Sequence, residues 1–199
     1  MKFFFVAATG FFSIVSAAPA AAPGAPWEAM APPPAGTAFF TLQARSYACP
    51  HIPAPYSATT VNSQYVTLKT GSTSYALNAN AASASKFFSI KYDKTGTYAF
   101  HNSDDTRQVV LQGTSSALLY LLDATNPSTD TIPKGSLMEW ATFTRDNDVV
   151  GVKDGSTLTN RTFAAVKQSD GSFNLALYDG ESSVTADITP LTLNLVKAT

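Results

Sequence analysis

Between Lys86 and Phe100 the chain reads KFFSIKYDKTGTYAF, and its apolar positions recur every second residue. Phe88, Ile90 and Tyr92 alternate with Ser89 and Lys91; after Asp93-Lys94-Thr95-Gly96 the alternation resumes at Tyr98 and Phe100. Period two places one set of side chains on one face of a strand. Glycine at position 96 supplies the positive φ of a tight return. The stretch predicts two antiparallel strands joined by a short turn. Phe163–Leu175, FAAVKQSDGSFNL, has the same layout: Phe163, Lys167, Gly171, Phe173 and Leu175 follow Phe88, Tyr92, Gly96, Tyr98 and Phe100 at a constant offset of 75 positions. A looser third copy lies around Phe143–Lys153.

The rest of the chain is punctuated in the same way. Strands are predicted at Thr37–Ala44, at Gln64–Leu68 with Tyr65 inward, at Ser74–Leu77 and at Arg107–Leu111, the last ended by Gly113. Asn78–Ser85 is a polar link with room for one helical turn. Leu118–Leu122, LLYLL, is too short for a stable helix and is closed by Asp123, Asn126 and Pro127, so a central strand is expected. Leu137–Thr144, with Trp140 and Phe143, reads as one strand returning through Val149–Lys153. Leu191, Leu193 and Leu195 alternate with Thr192 and Asn194 in a closing strand.

Roughly 10 to 12 short strands separated by turns predict one all-β domain of antiparallel hairpins. A β-barrel or β-trefoil-like array is the expected closure, with a β-sandwich as the alternative. Open edges on a sheet this apolar would invite aggregation, which favours closing it.

The first residues read differently. Lys2 precedes the apolar run Phe3–Val15, and small residues follow at Ser16-Ala17-Ala18. That is the layout of a secretory signal peptide cleaved after Ala17, and the run is shorter than the ~20 residues that span a bilayer. Residues 18–36 form an Ala/Pro-rich leader whose prolines oppose helix, leaving 37–199 as the folded domain. The C-terminal LTLNLVKAT carries no long apolar tail, so the expectation is release or non-covalent retention without a transmembrane segment.

Charge narrows the partners. Only 14% of residues are charged, with 13 basic and 14 acidic side chains scattered along the chain. A nucleic-acid binder would show a basic face. The one cysteine, Cys49, closes no internal disulfide; it is either a small buried hydrophobe or the site of an intermolecular disulfide.

The sequence nominates no catalytic, cofactor-binding or metal-binding residue. His51, His101 and Cys49 lack zinc spacing. Asp104-Asp105, Asp146-Asn147-Asp148 and Asp179 with Glu181 read as solvated turns rather than calcium loops. Glu139 beside Trp140 is a carboxylate next to an indole, the raw material of an acid in a sugar cleft, though a rim charge beside a core tryptophan is the commoner meaning. Tyr56, Tyr65, Tyr75, Tyr120 and Tyr178 lie near turns or strand ends, where they either stack on sugar rings or pack in the sheet. Asn160-Arg161-Thr162 is an N-glycosylation sequon.

Phe40–Ser46, FTLQARS, followed by Cys49-Pro50-His51-Ile52, resembles the start of the mature domain in small fungal secreted cell wall proteins of the PhiA type. The resemblance implies a secreted, β-rich glycoprotein of the cell wall without known catalysis. The expected function is therefore a non-enzymatic wall or cell-surface structural protein whose partners are wall polysaccharide or other wall proteins. A secreted carbohydrate-binding (lectin-like) or effector module is the first alternative, and a small secreted hydrolase or protease inhibitor the second.

Overall fold

The computed structural model describes residues 33–47, 61–125 and 132–198. Thirteen strands run through them in antiparallel pairs: β1 Phe40–Ser46, β2 Tyr65–Leu68, β3 Tyr75–Asn78, β4 Phe87–Tyr92, β5 Thr97–Asn102, β6 Gln108–Ser115, β7 Leu118–Ala124, β8 Leu137–Glu139, β9 Phe143–Asp146, β10 Val149–Val152, β11 Thr162–Lys167, β12 Phe173–Tyr178 and β13 Ile188–Lys197. A single 3-10 turn at Ala81–Ser83, capped by the Asn80 side chain, fills the link between β3 and β4. Cys49, His51, Tyr56, the leader and the N-terminal apolar run lie outside the described residues.

Hydrogen-bonded neighbours follow the order β11-β13-β10-β9-β5-β4-β1-β2-β3-β12, and β12 pairs back to β11. The sheet thus closes into a barrel of ten strands rather than splitting into a sandwich. β7, β6 and β8 continue outward from β12, and β6 rejoins the ring at β5 through His101 and Gln108. β1 lies inside the sheet, bonded to β2, β4 and β13. Its ladder with β13 runs from Phe40 opposite Lys197 to Ser46 opposite Leu191.

The interior is filled by side chains. Phe40, Phe87, Phe100, Phe143 and Tyr75 form its aromatic centre: Phe100 stacks on Phe143 at 4.7 Å between centroids, Phe40 meets Phe100 edge-on at 5.2 Å, and Tyr75 meets Phe87 at 5.5 Å. Leucines and valines from β1, β6, β7, β12 and β13 surround them. A smaller apolar cluster lies on the other face of β11, β12 and β13, where Ala164, Val166, Ala176, Tyr178 and Ile188 are covered by Leu118, Tyr120, Val184 and Ala186.

Both recognised hairpins form, with Gly96 and Gly171 at φ of 72° and 81°. They differ by one residue at the turn. Tyr92 pairs with Thr97 across four residues, whereas the Gln168 N–H donates to the Ser172 carbonyl across three. The return strands keep the 75-residue correspondence, so Tyr98, Phe100, Phe173 and Leu175 all meet the main core. The outgoing strands slip by one: Phe87, not Phe88, takes the core position that Phe163 takes. Phe88 turns to the opposite face and stacks on His101 at 5.1 Å. The doublet Phe87-Phe88 serves both faces, so alternation alone could not choose between them.

Three other expectations are corrected. On β2 the buried residue is Val66, and Tyr65 is only half-buried. Gly113 does not end β6; the strand continues to Ser115 through a register shift, and a Cβ at position 113 would lie 2.2 Å from the Leu118 carbonyl oxygen. Leu137–Thr144 is two strands, β8 and β9, broken where Ala141 takes a φ of 55°. LLYLL is strand β7, and Asn147 and Asp148 (φ 47° and 62°) form the two-residue return between β9 and β10.

Candidate functional site

Four places bring polar or aromatic side chains together, and the closed sheet decides which of them meets solvent. The first is shut off. His101 on β5 is fully buried, with Nδ1 2.6 Å from the Asp105 carboxylate. Burial holds its imidazole below the usual histidine range and outweighs the pull of Asp105. The neutral ring fits the surroundings: Nε2 has no hydrogen-bond partner, and an imidazolium would leave a charged N–H unpaired there. The pair ties the 102–107 turn to the barrel, and so Asp105 is not a solvated turn residue as expected.

The second surrounds Glu139. Trp140 follows it, as the sequence requires, but two further residues complete the cluster. Arg161, from the segment entering β11, reaches Glu139 at 3.4 Å and also bonds Asp154. Burial raises the Glu139 carboxyl against the opposing pull of Arg161. At Asp154 burial also pushes upward, but the Ser156 N–H and Arg161 outweigh it and leave the group below the usual carboxylate range. A raised and a lowered carboxyl side by side resemble an acid/base pair. Here both are held by one guanidinium, whereas sugar hydrolysis needs two carboxyls facing each other across an open cleft. Trp140 lines a neighbouring hollow of about 540 Å³ with Tyr92 and Lys153. Arg161 and Asp154 were not legible as partners of Glu139, since only the fold of the 153–162 loop brings them to β8.

The third is a buried bridge. The Tyr75 hydroxyl donates to Asp123 Oδ1 at 2.8 Å, and Arg107 donates to Asp123 Oδ2 at 3.2 Å. Burial raises the Tyr75 phenol well above its usual value, with Asp123 adding to the effect. Tyr178 is likewise buried and donates to the Ser182 carbonyl oxygen. Neither tyrosine has a ring face left for a sugar. Asp179 is buried too, and caps the 180–182 turn by accepting from the Glu181 and Ser182 N–H groups.

The fourth place is open. A cleft of about 690 Å³ runs over the outer face of β6, β7 and β12, walled by residues 183–186. Tyr120 is half-buried in it, and burial raises its phenol above the usual value. Gln112 stands opposite Tyr120 on β6, and Ala176 stands opposite it on β12. Asn174 and Gln168 add amides, and Ser136 and Ser183 add hydroxyls. Tyr120 is the one residue of this set that the sequence singled out. The amides come from hairpins far apart in the chain and carry no local signal.

Asn160 is exposed just before β11, and its backbone packs against Gly180, where a Cβ would come within 2.3 Å of the Asn160 carbonyl oxygen. Thr162 of the sequon shares a 2.6 Å hydrogen bond with the Tyr47 hydroxyl. Among the described residues no group of three or more metal-ligating side chains converges, and no helix is long and apolar enough to cross a membrane.

Comparison with family models, with curated proteins and with solved structures gave no significant match. The functional reading therefore stands on the residues themselves.

Proposed function

We propose that this chain is exported and serves as a non-catalytic structural component of a cell wall or cell surface. The observation that carries the reading is a self-sufficient barrel behind an export-type N-terminal segment. Its apolar core and its first-to-last strand ladder hold the domain together with one cysteine in the whole chain. A barrel without exposed sheet edges around its ring resists strand-to-strand association outside the cell. The charge-poor surface suits contact with neutral polymers more than with nucleic acid. The carboxyls nearest to an acid/base arrangement, Glu139 and Asp154, are engaged by Arg161. Asn160 is an exposed acceptor for an N-glycan, and Cys49, outside the described residues, is the residue the sequence offers for an intermolecular disulfide.

Fractionation tests the reading. Expressed in its own cell type and followed by antibody, the protein is expected in the washed wall or the medium and not in the cytosol. Glu139→Gln should leave the protein's behaviour toward wall polysaccharide unchanged. A cytosolic pool of full-length chain, or release of reducing sugar that Glu139→Gln abolishes, would overturn it.

A further inference from the structure

We propose that the cleft over β6, β7 and β12 binds a neutral oligosaccharide chain. The inference deepens the wall reading above and rests on it for its biological setting, because it names the contact by which the protein would be held. Its basis is the chemistry of the lining. The described residues that form the cleft include no lysine, arginine, histidine, aspartate or glutamate. A charged ligand would find no counter-charge there. A wholly apolar ligand would strand the amides of Gln112 and Asn174. A sugar satisfies both kinds of surface, offering hydroxyls to amides and a C–H face to an aromatic ring.

The register places those groups in order. Gln112, Tyr120 and Ala176 lie side by side across three neighbouring strands. Tyr120 packs over the buried methyl of Ala176 on one side and lines the cleft, half-buried, with the rest of its side chain. Asn174 lies two residues before Ala176 on the same face, and its Oδ1 is a buried acceptor with no hydrogen-bond partner. An unmet buried acceptor is costly, and a rotation of the Asn174 amide that turns it to the cleft lets a sugar hydroxyl satisfy it. Ser183 on the 183–186 wall is exposed at the rim. The volume of about 690 Å³ falls within the range of roughly 300–1,000 Å³ occupied by small-ligand sites.

The test is titration calorimetry of the full secreted chain with laminarihexaose, chitohexaose and mannohexaose, at low and high salt. At least one probe is expected to bind saturably, with an affinity that salt leaves unchanged, since no ion pair contributes. Tyr120→Ala should weaken binding by about tenfold or more, equivalent to about 1.4 kcal/mol. Ser183→Arg, at an exposed rim position away from the core, should block the cleft while leaving the melting temperature intact, which keeps the test decisive if Tyr120→Ala folds poorly. Absence of binding by all three probes at millimolar concentration overturns the proposal. So does full affinity in Ser183→Arg, or an affinity that falls steeply with salt. Wall fractionation separates the two readings: a wall-retained protein that binds none of the probes refutes the cleft alone, and a probe-binding protein found in the cytosol refutes the wall reading alone.

Discussion

Removing one oxygen atom from Tyr75 tests how the barrel holds its buried carboxylate. In Tyr75→Phe the ring keeps its edge-on contact with Phe87 at 5.5 Å, so the packing contribution is conserved. What is lost is the 2.8 Å hydrogen bond to Asp123, whose side chain is 1% exposed. Asp123 Oδ1 is then left as a charged acceptor without its side-chain donor. Hydrogen bonds to charged groups contribute about 1.5–3 kcal/mol, and water cannot easily replace this one, so a loss of about 2–3 kcal/mol is expected. For a domain of this size that is a fall of roughly 4–12 °C in melting temperature. The effect carries a pH signature. Burial raises the Asp123 carboxyl above its unfolded value, while Tyr75 and Arg107 pull it down. Folding therefore favours the protonated carboxyl, and the cost of burying its charge is relieved as pH falls through the folded pKa. Tyr75→Phe removes a group that supports the charged form, so its destabilisation should shrink at pH 4. Urea unfolding of both proteins at pH 7 and pH 4 measures this. A variant within about 0.5 kcal/mol of the parent at pH 7, below the usual range for such a bond, would refute the account.

His101 predicts a second pH dependence. Its folded pKa lies below the unfolded value, so the unfolded chain takes up a proton first; stability should be full above about pH 7 and fall as pH drops below about 6.5. Melting temperature against pH from 8 to 5 reads this, and His101→Gln should flatten the slope. Gly113→Ala forces a Cβ against the Leu118 carbonyl oxygen, and should cost about 1–3 kcal/mol in urea unfolding through backbone displacement at the β6–β7 irregularity. Asn160→Gln, expressed through a glycosylating secretory route, should remove one N-glycan from the intact mass of the protein and leave its melting temperature nearly unchanged, since Asn160 is exposed.

What the amino-acid pattern could reveal depended on how many faces of each strand are buried. Tyr98-Phe100 and Leu191-Leu193-Leu195 have clear alternation, and the face it marks is the one that meets the core. Phe87-Phe88 defeats the same logic because both faces of β4 are covered, one by the barrel core and one by Phe39 and His101. Tyr75 and Tyr178 look like surface residues near turns, yet each hydroxyl finds an internal acceptor, which lets the whole ring be buried. Ala141 breaks the 137–144 stretch by adopting a positive φ that alanine does not advertise. The cleft was unreadable for a different reason. Its members are ordinary amides and hydroxyls, and only the pairing of β6, β7 and β12 places them beside Tyr120.

The ladder between β1 and β13 has a consequence for biosynthesis. Thr41 and Val196, which meet in it, are 155 positions apart. As the chain emerges from the ribosome, β1 waits without its longest partner until β13 has been made. The nascent polypeptide therefore has no early route to this ladder, whose two strands are separated by nearly the whole domain. Closure of the sheet at this seam waits on β13, so the making of that one strand times the maturation of the barrel.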